Sequence, residues 1–309
     1  MNSIGPVGKR VLVTGGAGFI GSHLVDALVP DNDVVVLDSL ASGDRANVHD
    51  DAELVEGDLR DEDALDRATE DVDVIYHQGA VVAVSDTVED PTRSNAVNVD
   101  ATLSLLERAR DEDARIVLAS SAAIYGDPES VPVHEDDPKT PSSPYGVQKL
   151  TLDHYAQVYH DLYGLETVPL RYFNVYGPRQ GGSDYAAVIS VFLQQAREGG
   201  PITIEGDGEQ TRDFVFVEDV VRANLLAATT DAVGEPFNVA TGEQTTILDI
   251  ADAIVGATGS DAEITHVDPR VGDIRHSRAD VSRAKETLDF EATVELEEGI
   301  SRLVESTRA

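Results

Sequence analysis

The sequence predicts an α/β fold in which a doubly wound parallel β-sheet is covered by helices on both faces, with a smaller α/β lobe towards the C-terminus. Two observations support this. Short apolar runs alternate with helical stretches up to about residue 176, and the rhythm then changes to loops, helices and short strands. Strands buried on both faces read as continuous apolar runs, and helices between successive strands connect them in parallel. The 309 residues suit one large domain or two closely joined ones.

Strands and helices alternate along the first half of the chain. In order, we predict a strand at RVLVTG, a helix from about Ile20 to Leu28, strands at DVVVLD, AELVEGD and VDVIYHQGA, a helix near 98–109, a strand at RIVLASSA, a helix after Tyr145 and a strand at TVPLRYFN. Each strand run is short and apolar, which is typical of a buried parallel strand. Later strands are predicted at PITIEGDGEQ and FNVATG, and we expect the second of these to return to the first sheet.

The chain is strongly acidic. Its 58 acidic residues outnumber 23 lysines and arginines, the formal net charge is −35, and the acids are spread along the whole sequence. Such a field repels nucleic acid and anionic membranes, so neither is a predicted partner. At molar salt the Debye length is about 3 Å, which screens the self-repulsion. The composition therefore predicts a halophilic protein with a solvated acidic surface.

Membrane, export and metal signals are missing from the sequence. No run approaches the roughly 18 apolar residues of a membrane span, and MNSIGPVGKR leads into the first strand without a signal-peptide pattern, so we expect a cytoplasmic location. Without cysteine there are no disulfides and no thiolate ligands, and no metal site is predicted. His77, His134 and His154 are isolated from one another and form no catalytic or metal-ligating motif, and we interpret them as structural or solvated.

A glycine-rich turn follows the first predicted strand in VLVTGGAGFIGSHL. Gly15, Gly18 and Gly21 stand between strand and helix, where glycine permits a tight turn and lets the amides of the helix N-terminus approach a pyrophosphate. The preceding strand, the following helix and an acidic residue at the end of the next strand together indicate dinucleotide binding. We therefore predict a Rossmann-type sheet.

Asp38 ends the second predicted strand, where its carboxylate can accept hydrogen bonds from an adenosine ribose. A carboxylate there repels the additional phosphate of NADP, and Ser39 and Leu40 provide no cation to hold that phosphate. NAD is therefore the predicted cofactor. The alternative is that Asp38 only caps a loop. Asp58, which follows the third strand, is a further candidate for contact with the adenine.

Tyr145 and Lys149 in SPYGVQK are four residues apart at the beginning of a predicted helix. Residues at this spacing share a helical face, so both side chains can point into one site. A nearby ammonium and the positive nicotinamide ring of NAD favour the phenolate of a tyrosine, whose ordinary pKa is about 10. We interpret Tyr145 as the catalytic base and Lys149 as its partner, which also binds the nicotinamide ribose. The alternative is a solvated pair on a helix surface.

The whole sequence resembles the extended short-chain dehydrogenase/reductase family, and more closely its nucleotide-sugar epimerases and dehydratases. The resemblance rests on segments that occur in the family's order: TGGAGFIGSHL, YHQGA, NAVNVDAT, ASSAAIYG, SPYGVQK, RYFNVYGPR, GDGEQTRDFVFVEDV and RVGDIRHSRADVSRA. It implies NAD as cofactor and a UDP-sugar as substrate. It also implies a homodimer packed through the helix near 98–109 and the helix after Tyr145.

The resemblance assigns roles to single residues as well. It implies that Ser121 hydrogen-bonds the sugar hydroxyl beside Tyr145 and that Asn174 contacts the sugar diphosphate. Arg212 and Arg270 are implied to clamp the phosphates, as paired arginines can. Surface ion pairs with the plentiful carboxylates are the alternative for both arginines. Further positions that the resemblance assigns to the cofactor are Phe19, Ile20, Leu59, Gln78 and Ala80.

Two alanines narrow the predicted reaction. The 4,6-dehydratases of the family carry Asp and Glu directly after the catalytic hydroxyl residue, and its sugar-acid decarboxylases carry Glu at the second position, whereas this chain has Ala122 and Ala123. What the resemblance then implies is reversible oxidation at C4. Tyr145 removes the hydroxyl proton, hydride passes to NAD, and the 4-keto sugar turns over before hydride returns. The alternatives are a 4-ketoreductase or dehydrogenase that releases its cofactor and a catalytically silent NAD-binding regulator.

Ser277 is the predicted determinant of substrate range. In the epimerases that the chain resembles, the corresponding position near the R-x-G-D segment lies beside the C2 substituent of the sugar, and a small residue leaves room for an N-acetyl group. The resemblance therefore implies that UDP-glucose and UDP-galactose are interconverted and that the N-acetylated pair is tolerated. The alternative is that Ser277 merely packs in a loop.

These assignments predict two functional lobes. Residues 1–175 form the NAD-binding Rossmann domain, to which residues 215–245 return. Residues 176–214 and 246–309 form the smaller C-terminal substrate-binding lobe.

Overall fold

The computed structural model describes residues 4–181, 188–269 and 274–307. Arg270 lies outside the described residues. The strands are β1 (Arg10–Thr14), β2 (Asp33–Asp38), β3 (Glu53–Glu56), β4 (Val74–His77), β5 (Arg115–Ser121), β6 (Thr167–Tyr172), β7 (Asn174–Tyr176), β8 (Ile202–Glu205), β9 (Thr211–Arg212), β10 (Phe214–Phe216), β11 (Phe237–Val239), β12 (Thr245–Thr246) and β13 (Ile264–Val267).

The helices flank these strands. They are α1 (Phe19–Leu28), α2 (Glu62–Thr69), α3 (Val84–Glu89), α4 (Pro91–Asn95), α5 (Ala101–Asp111), α6 (Pro144–Tyr163), α7 (Val188–Glu198), α8 (Val217–Ala227), α9 (Ile247–Thr258), α10 (Ser282–Leu288) and α11 (Leu296–Ser306). A π-helical turn (Ala96–Asp100) leads into α5, and 3₁₀ turns lie at Arg45–Asn47 and Ala122–Ile124. None of the helices in the described part of the chain has both the length and the apolar character needed to cross a membrane.

Seven strands form one parallel sheet in the order β11-β6-β5-β4-β1-β2-β3. Leu12 of β1 pairs with Val35 of β2 on one side and with Ile75 of β4 on the other. The chain therefore reverses its direction of travel across the sheet at β1, and the crevice at such a reversal is where open α/β sheets bind ligands. This topology confirms the predicted fold class.

Successive residues of β1 point to opposite faces of the sheet, and each face carries its own core. Val11 and Val13 belong to the cluster that contains Leu24 of α1 and Val220 of α8. Leu12 belongs to the cluster on the other face, which contains Leu105 of α5. The continuous apolar sequence of β1 is explained by this coverage on both faces.

A third apolar cluster forms the core of a smaller lobe. It joins Phe192 of α7, Ile204 of β8 and Ile250 of α9, among others. Leu288 and Phe290, which the predicted division assigns to this lobe, pack instead in the same cluster as Phe237 of the main sheet. The division of the chain into two functional lobes stays a prediction.

Candidate active site

The candidate site begins where the glycine-rich loop after β1 meets the loop after β4. Gly15 has φ = +70°, and a Cβ at this position would lie 2.7 Å from the amide nitrogen of Gly79. A Cβ on Gly21 would overlap the carbonyl oxygen of Gly15. Glycine is therefore required at Gly15 and Gly21 so that the two loops and α1 can pack together.

The N-terminus of α1 faces this junction. Gly18 is the N-cap residue, no side chain in the described part of the chain caps the helix, and its first turn carries no acidic residue. The N-terminal amides and the helix dipole are thus available to an anion, which fits the pyrophosphate of a dinucleotide. Phe19 and Ile20, both half-buried, form this first turn.

Asp38 is buried at the end of β2, and its carboxylate connects two loops. One oxygen accepts the amide of Ala17 at 2.9 Å, and the other accepts the amide of Leu40 at 2.8 Å. A carboxylate offers about four acceptor positions, so these contacts leave capacity for ribose hydroxyls. Asp38 therefore caps the loops, and its predicted contact with the ribose stays a prediction.

The other predicted cofactor residues surround the same edge in different ways. Asp58 forms a two-pronged pair with the Arg60 guanidinium, at 2.8 Å for each oxygen, and this hydrogen bonding lowers the pKa of Asp58. Leu59 is buried against Gly79, and Ala80 is half-buried. Gln78 directs its side-chain amide towards Tyr172 and Asn224 rather than towards the glycine-rich loop.

Tyr145 lies in the first turn of α6, next to the end of β5. Ser143 caps this helix by accepting the amide of Gly146 at 3.1 Å. A Cβ on Gly146 would lie 2.6 Å from the carbonyl oxygen of Ala123, so glycine lets the helix approach the 3₁₀ turn that follows β5. The Ser121 hydroxyl at the start of that turn accepts the amide of Ala123 at 3.2 Å and lies near enough to the Tyr145 phenol to oppose a rise in its pKa.

Lys149 follows one helical turn later and is 3% exposed. Its ammonium donates to the carbonyl oxygen of Ala119 in β5 at 2.6 Å, and Nζ lies 5.8 Å from the centroid of the Tyr145 ring. Burial lowers the pKa of Lys149 to about 8, and the negative charge of Asp153 opposes that shift. The structure brings Ser121, Tyr145 and Lys149 together at one edge of the sheet.

Burial also acts on the phenol itself. It raises the pKa of Tyr145, and the nearby Ser121 hydroxyl opposes the rise. A phenol with a raised pKa is a poor base at neutral pH. Without NAD, burial therefore favours the neutral phenol of Tyr145. That Lys149 and the nicotinamide ring together favour the phenolate stays a prediction.

His77 at the end of β4, interpreted from the sequence as structural or solvated, is buried beside the site. Thr102 Oγ1 donates its only proton to the carbonyl oxygen of Asn98 at 2.8 Å, so it accepts from His77 Nε2, also at 2.8 Å. His77 Nδ1 then accepts from Thr14 Oγ1 at 2.8 Å, and Thr14 accepts the Gly79 amide at 3.1 Å. Burial lowers the pKa of His77 to about 3 with a contribution from Lys149, so the ring is neutral.

Asn98 extends this network to α6. Its side chain accepts the amide of Val81 at 2.7 Å and donates to the carbonyl oxygen of the same residue at 2.9 Å. It also donates to Gln148 Oε1 at 2.8 Å, and Gln148 precedes Lys149. Hydrogen bonds thus link Thr14, the last residue of β1 before the glycine-rich loop, through His77, Thr102 and Asn98 to the helix that carries Tyr145 and Lys149. In the sequence, the signal for this network is that polar residues, Thr14 and His77, stand near the ends of two of the predicted strands.

The predicted substrate residues lie in neighbouring segments beyond β6. Asn174 donates its side-chain amide to the carbonyl oxygen of Asp213 at 3.1 Å. Arg212 Nη1 donates to the carbonyl oxygens of Thr211 and Ile274 at 2.8 and 2.6 Å. Ser277 is half-buried, and its amide donates to the carbonyl oxygen of Thr211 at 3.1 Å. Asn174, Arg212 and Ser277 are therefore held around one short segment.

Comparison with known proteins places this geometry in a family. The chain is 41% identical over 308 residues to the UDP-glucose 4-epimerase of Mycolicibacterium smegmatis, covering 97% of this chain and 98% of that protein. A UDP-N-acetylglucosamine 4-epimerase structure from Methanobrevibacter ruminantium M1, in complex with UDP-N-acetylmuramic acid, matches with a TM-score of 0.95 and 38% identity over 98% of this chain and 99% of that one.

A second solved structure is similar over the same extent. It is a UDP-glucose 4-epimerase with UDP-glucose from Thermotoga maritima, with a TM-score of 0.94 and 39% identity over 97% of this chain and 98% of that one. The family model described as "NAD dependent epimerase/dehydratase family" matches residues 11–240. These matches confirm the resemblance and the NAD cofactor inferred from the sequence: the chain belongs to the NAD dependent epimerase/dehydratase family.

Proposed function

We propose that this chain catalyses the NAD-dependent C4 epimerisation of a UDP-sugar. The observation that carries the proposal is the convergence of Ser121, Tyr145 and Lys149 at the sheet edge beside the glycine-rich loop. The 3₁₀ turn beside Tyr145 carries Ala122 and Ala123, so neither position supplies a carboxyl group for water loss or decarboxylation. With NAD as the hydride acceptor, oxidation and reduction at one carbon need no side chains beyond the hydroxyl, phenol and ammonium groups that are present.

Side chains of this protein bind and orient the sugar and the cofactor, and one of them takes up the proton. Tyr145 accepts the proton of the sugar C4 hydroxyl, and Ser121 holds that hydroxyl by hydrogen bonding. The Lys149 ammonium stabilises the phenolate by its charge and would bind the nicotinamide ribose. NAD, when bound, supplies reversible hydride transfer at C4. Gly15, Gly18 and Gly21, with the amides of the first turn of α1, would hold its pyrophosphate.

The proposed substrate residues would bind the nucleotide part of the UDP-sugar. We propose that Arg212 and Arg270 hold the diphosphate, that Asn174 contacts it, and that Ser277 lies beside the C2 substituent of the sugar. UDP-glucose and UDP-galactose are the proposed substrates, with the N-acetylated pair also accepted. The sugar has fewer charged contacts than the diphosphate, so the 4-keto ring can turn over while the nucleotide stays bound.

One incubation tests the proposed reaction against its alternatives. Purified protein is mixed with UDP-galactose and no added cofactor, and the products are separated by chromatography. An epimerase forms UDP-glucose to equilibrium without accumulating NADH. Formation of an oxidised sugar only with stoichiometric added NAD, which accumulates as NADH, would instead identify a 4-ketoreductase or dehydrogenase, and the absence of any conversion would favour an NAD-binding regulator.

We also propose that the protein is a homodimer through α5 and α6. Val147, Val158 and Leu162 of α6 are 51%, 43% and 69% exposed, and their spacing of three turns and then one turn places them on one helix face. Tyr163 beside them is 52% exposed. An apolar helix face of this kind supports association with a second copy. Light scattering at molar KCl should give twice the mass of the chain; a monomer would overturn the proposal.

A cytoplasmic, salt-rich environment is the proposed location. The formal net charge of −35 supports the salt-rich environment, because the repulsion within so acidic a chain is reduced only where counter-ions are abundant. Cell fractionation tests the location: the protein should appear with the cytoplasmic fraction, and recovery with the membrane or the medium would contradict it.

A further inference from the structure

Asp213, between β9 and β10, is a fully buried carboxylate outside the catalytic group described above. One oxygen accepts the amide of Thr241 at 2.9 Å and the hydroxyl of the same residue at 2.7 Å. The other accepts the amides of Gly242 at 3.0 Å and Ala279 at 3.2 Å. All four donors are neutral, and they come from two segments that are distant in the sequence.

These contacts place Asp213 at the meeting point of the segments that carry the proposed substrate residues. Its carbonyl oxygen accepts both the backbone amide and the side-chain amide of Asn174, at 3.0 and 3.1 Å. Arg212 precedes it in the chain. Ala279, whose amide reaches the carboxylate, is two residues after Ser277. Asp213 is thus bonded to, or directly adjacent to, the backbone of each of these three segments.

The free-energy cost of burying the Asp213 carboxylate suggests that this residue does more than fill space in the core. A buried carboxylate bonded by neutral groups loses its hydration, and burial raises the pKa of Asp213 while the bonds from Thr241, Ala279 and Gly242 oppose the rise. Only the ionised form can accept from all four donors at once. Loss of the charge or of one acceptor therefore changes the relative placement of the 240–242 and 277–279 segments.

We propose that Asp213 is a positioning residue for the UDP-sugar: it fixes Asn174, Arg212 and Ser277 relative to one another without touching the substrate. The inference rests on the proposed function. It predicts a defect in substrate binding that is separate from NAD binding, because the glycine-rich loop and the N-terminus of α1 are held by a different set of contacts.

The chain offers a matched control in Asp219. This carboxylate is also buried and accepts the amides of Thr293 and Val294 at 3.0 Å, the Thr293 hydroxyl at 3.0 Å and Arg222 at 2.8 Å. It joins α8 to the segment before α11, and its hydrogen bonds in the described part of the chain go to none of Asn174, Arg212 and Ser277. Asp219→Asn therefore also removes a buried carboxylate charge and weakens its hydrogen bonds to the backbone, and in addition it breaks an ion pair with Arg222, with no predicted effect on the substrate residues.

The experiment compares Asp213→Asn, Asp219→Asn and the wild-type holoenzyme at molar KCl. The Kd for UDP is measured by calorimetry, KM and kcat with UDP-galactose, bound NAD after acid release, and the Tm of each protein. We expect Asp213→Asn to raise the Kd and KM by about tenfold to a hundredfold, the loss that corresponds to one weakened hydrogen bond to a charged group, with bound NAD unchanged. Asp219→Asn should lower Tm while leaving the Kd for UDP within about twofold, its contacts being with α8 and the segment before α11.

The outcomes separate this inference from the proposed function. Wild-type protein that neither binds UDP nor converts UDP-galactose would overturn the proposed function. Wild-type activity with equal UDP affinity in Asp213→Asn, or equal losses in both variants, would overturn only the role of Asp213. If Asp213→Asn does not fold, Thr241→Val removes one donor at similar size; a raised KM with unchanged bound NAD supports the role, and an unchanged KM overturns it.

Discussion

The Lys149 ammonium nitrogen lies 5.8 Å from the centroid of the Tyr145 ring and donates to the carbonyl oxygen of Ala119 at 2.6 Å. The bond to β5 holds the charge beside the phenol, although the two side chains stand a full helical turn apart. Burial of that charge lowers the pKa of Lys149 to about 8. We therefore expect the protonation state of Lys149 to limit the function of Tyr145 as a base.

This pKa predicts an alkaline limit to activity. Below about pH 8, Lys149 is an ammonium whose charge favours the Tyr145 phenolate; above it, the neutral amine no longer does so. We therefore expect kcat to fall as pH rises through about 8, as a plot of kcat against pH with saturating UDP-galactose would show.

Lys149→Arg is the control for this assignment. A guanidinium stays charged throughout the accessible range, so the variant's activity, although reduced by the different shape, should not show the fall near pH 8. An identical alkaline limb in both proteins would assign it to another group.

Tyr145→Phe should remove the base while preserving the fold. The ring and its packing remain, but the proton acceptor is gone, and loss of a general base typically costs about 10²- to 10⁴-fold in rate. We expect kcat to fall by this amount with bound NAD unchanged. Tyr155→Phe, on the same helix and with its ring against Tyr159, is the matched control and should keep normal turnover. Near-normal activity of Tyr145→Phe would exclude the proposed base.

The sheet and the groups that follow its strands could be predicted because their signals are local. Apolar runs predict the strands, and the glycine turn after β1 predicts the dinucleotide-binding loop. The spacing of Tyr145 and Lys149 predicts that both side chains lie on one face of their helix. Each of these depends on residues within one or two turns of each other. The structure brings the same residues together at the carboxyl edge of the sheet.

The long-range polar contacts could not be predicted in this way. The partners of His77 are Thr14 and Thr102, and those of Asp213 are Thr241, Gly242 and Ala279. Among 58 acidic residues nothing in the sequence distinguishes Asp213 from a solvated carboxylate. Asp213 differs from the solvated carboxylates in being buried, and its burial results from the packing of segments that are distant in the sequence.

Asp38→Ala should weaken the preference for NAD over NADP. The substitution removes the negative charge that opposes a 2′-phosphate, and it also removes the acceptor of the Ala17 and Leu40 amides, so NAD itself should bind less tightly. The Kd values for NADH and NADPH, measured by fluorescence, give the ratio. Asp44→Ala changes the same charge in the neighbouring loop, where Asp44 caps a 3₁₀ turn, and should leave that ratio unaltered. An unchanged ratio of the two Kd values in Asp38→Ala would show that Asp38 does not distinguish the ribose of NAD from that of NADP.

Added KCl should raise both Tm and activity up to molar concentrations. The formal net charge of −35 makes repulsion within the folded chain the dominant long-range interaction, and salt screens it. Sucrose at matched osmolality is the control, because it acts by exclusion from the surface without screening charge and should give a smaller rise. Maximal Tm in dilute buffer would refute the halophilic interpretation.

Ser277→Tyr should restrict the range of sugars. Ser277 is half-buried, and its backbone is fixed by the bond to Thr211, so a larger side chain has to extend from a fixed point. Overfilling a packed pocket typically costs about 1 to 3 kcal/mol, roughly a tenfold to more than a hundredfold loss in rate. If the residue lies beside the C2 substituent, kcat/KM should fall by this factor for UDP-N-acetylglucosamine and far less for UDP-glucose. Ser277→Ala removes the hydroxyl but keeps the space, so it should accept both sugar classes. Equal losses for both classes in Ser277→Tyr would mean that Ser277 packs in a loop and does not select the sugar.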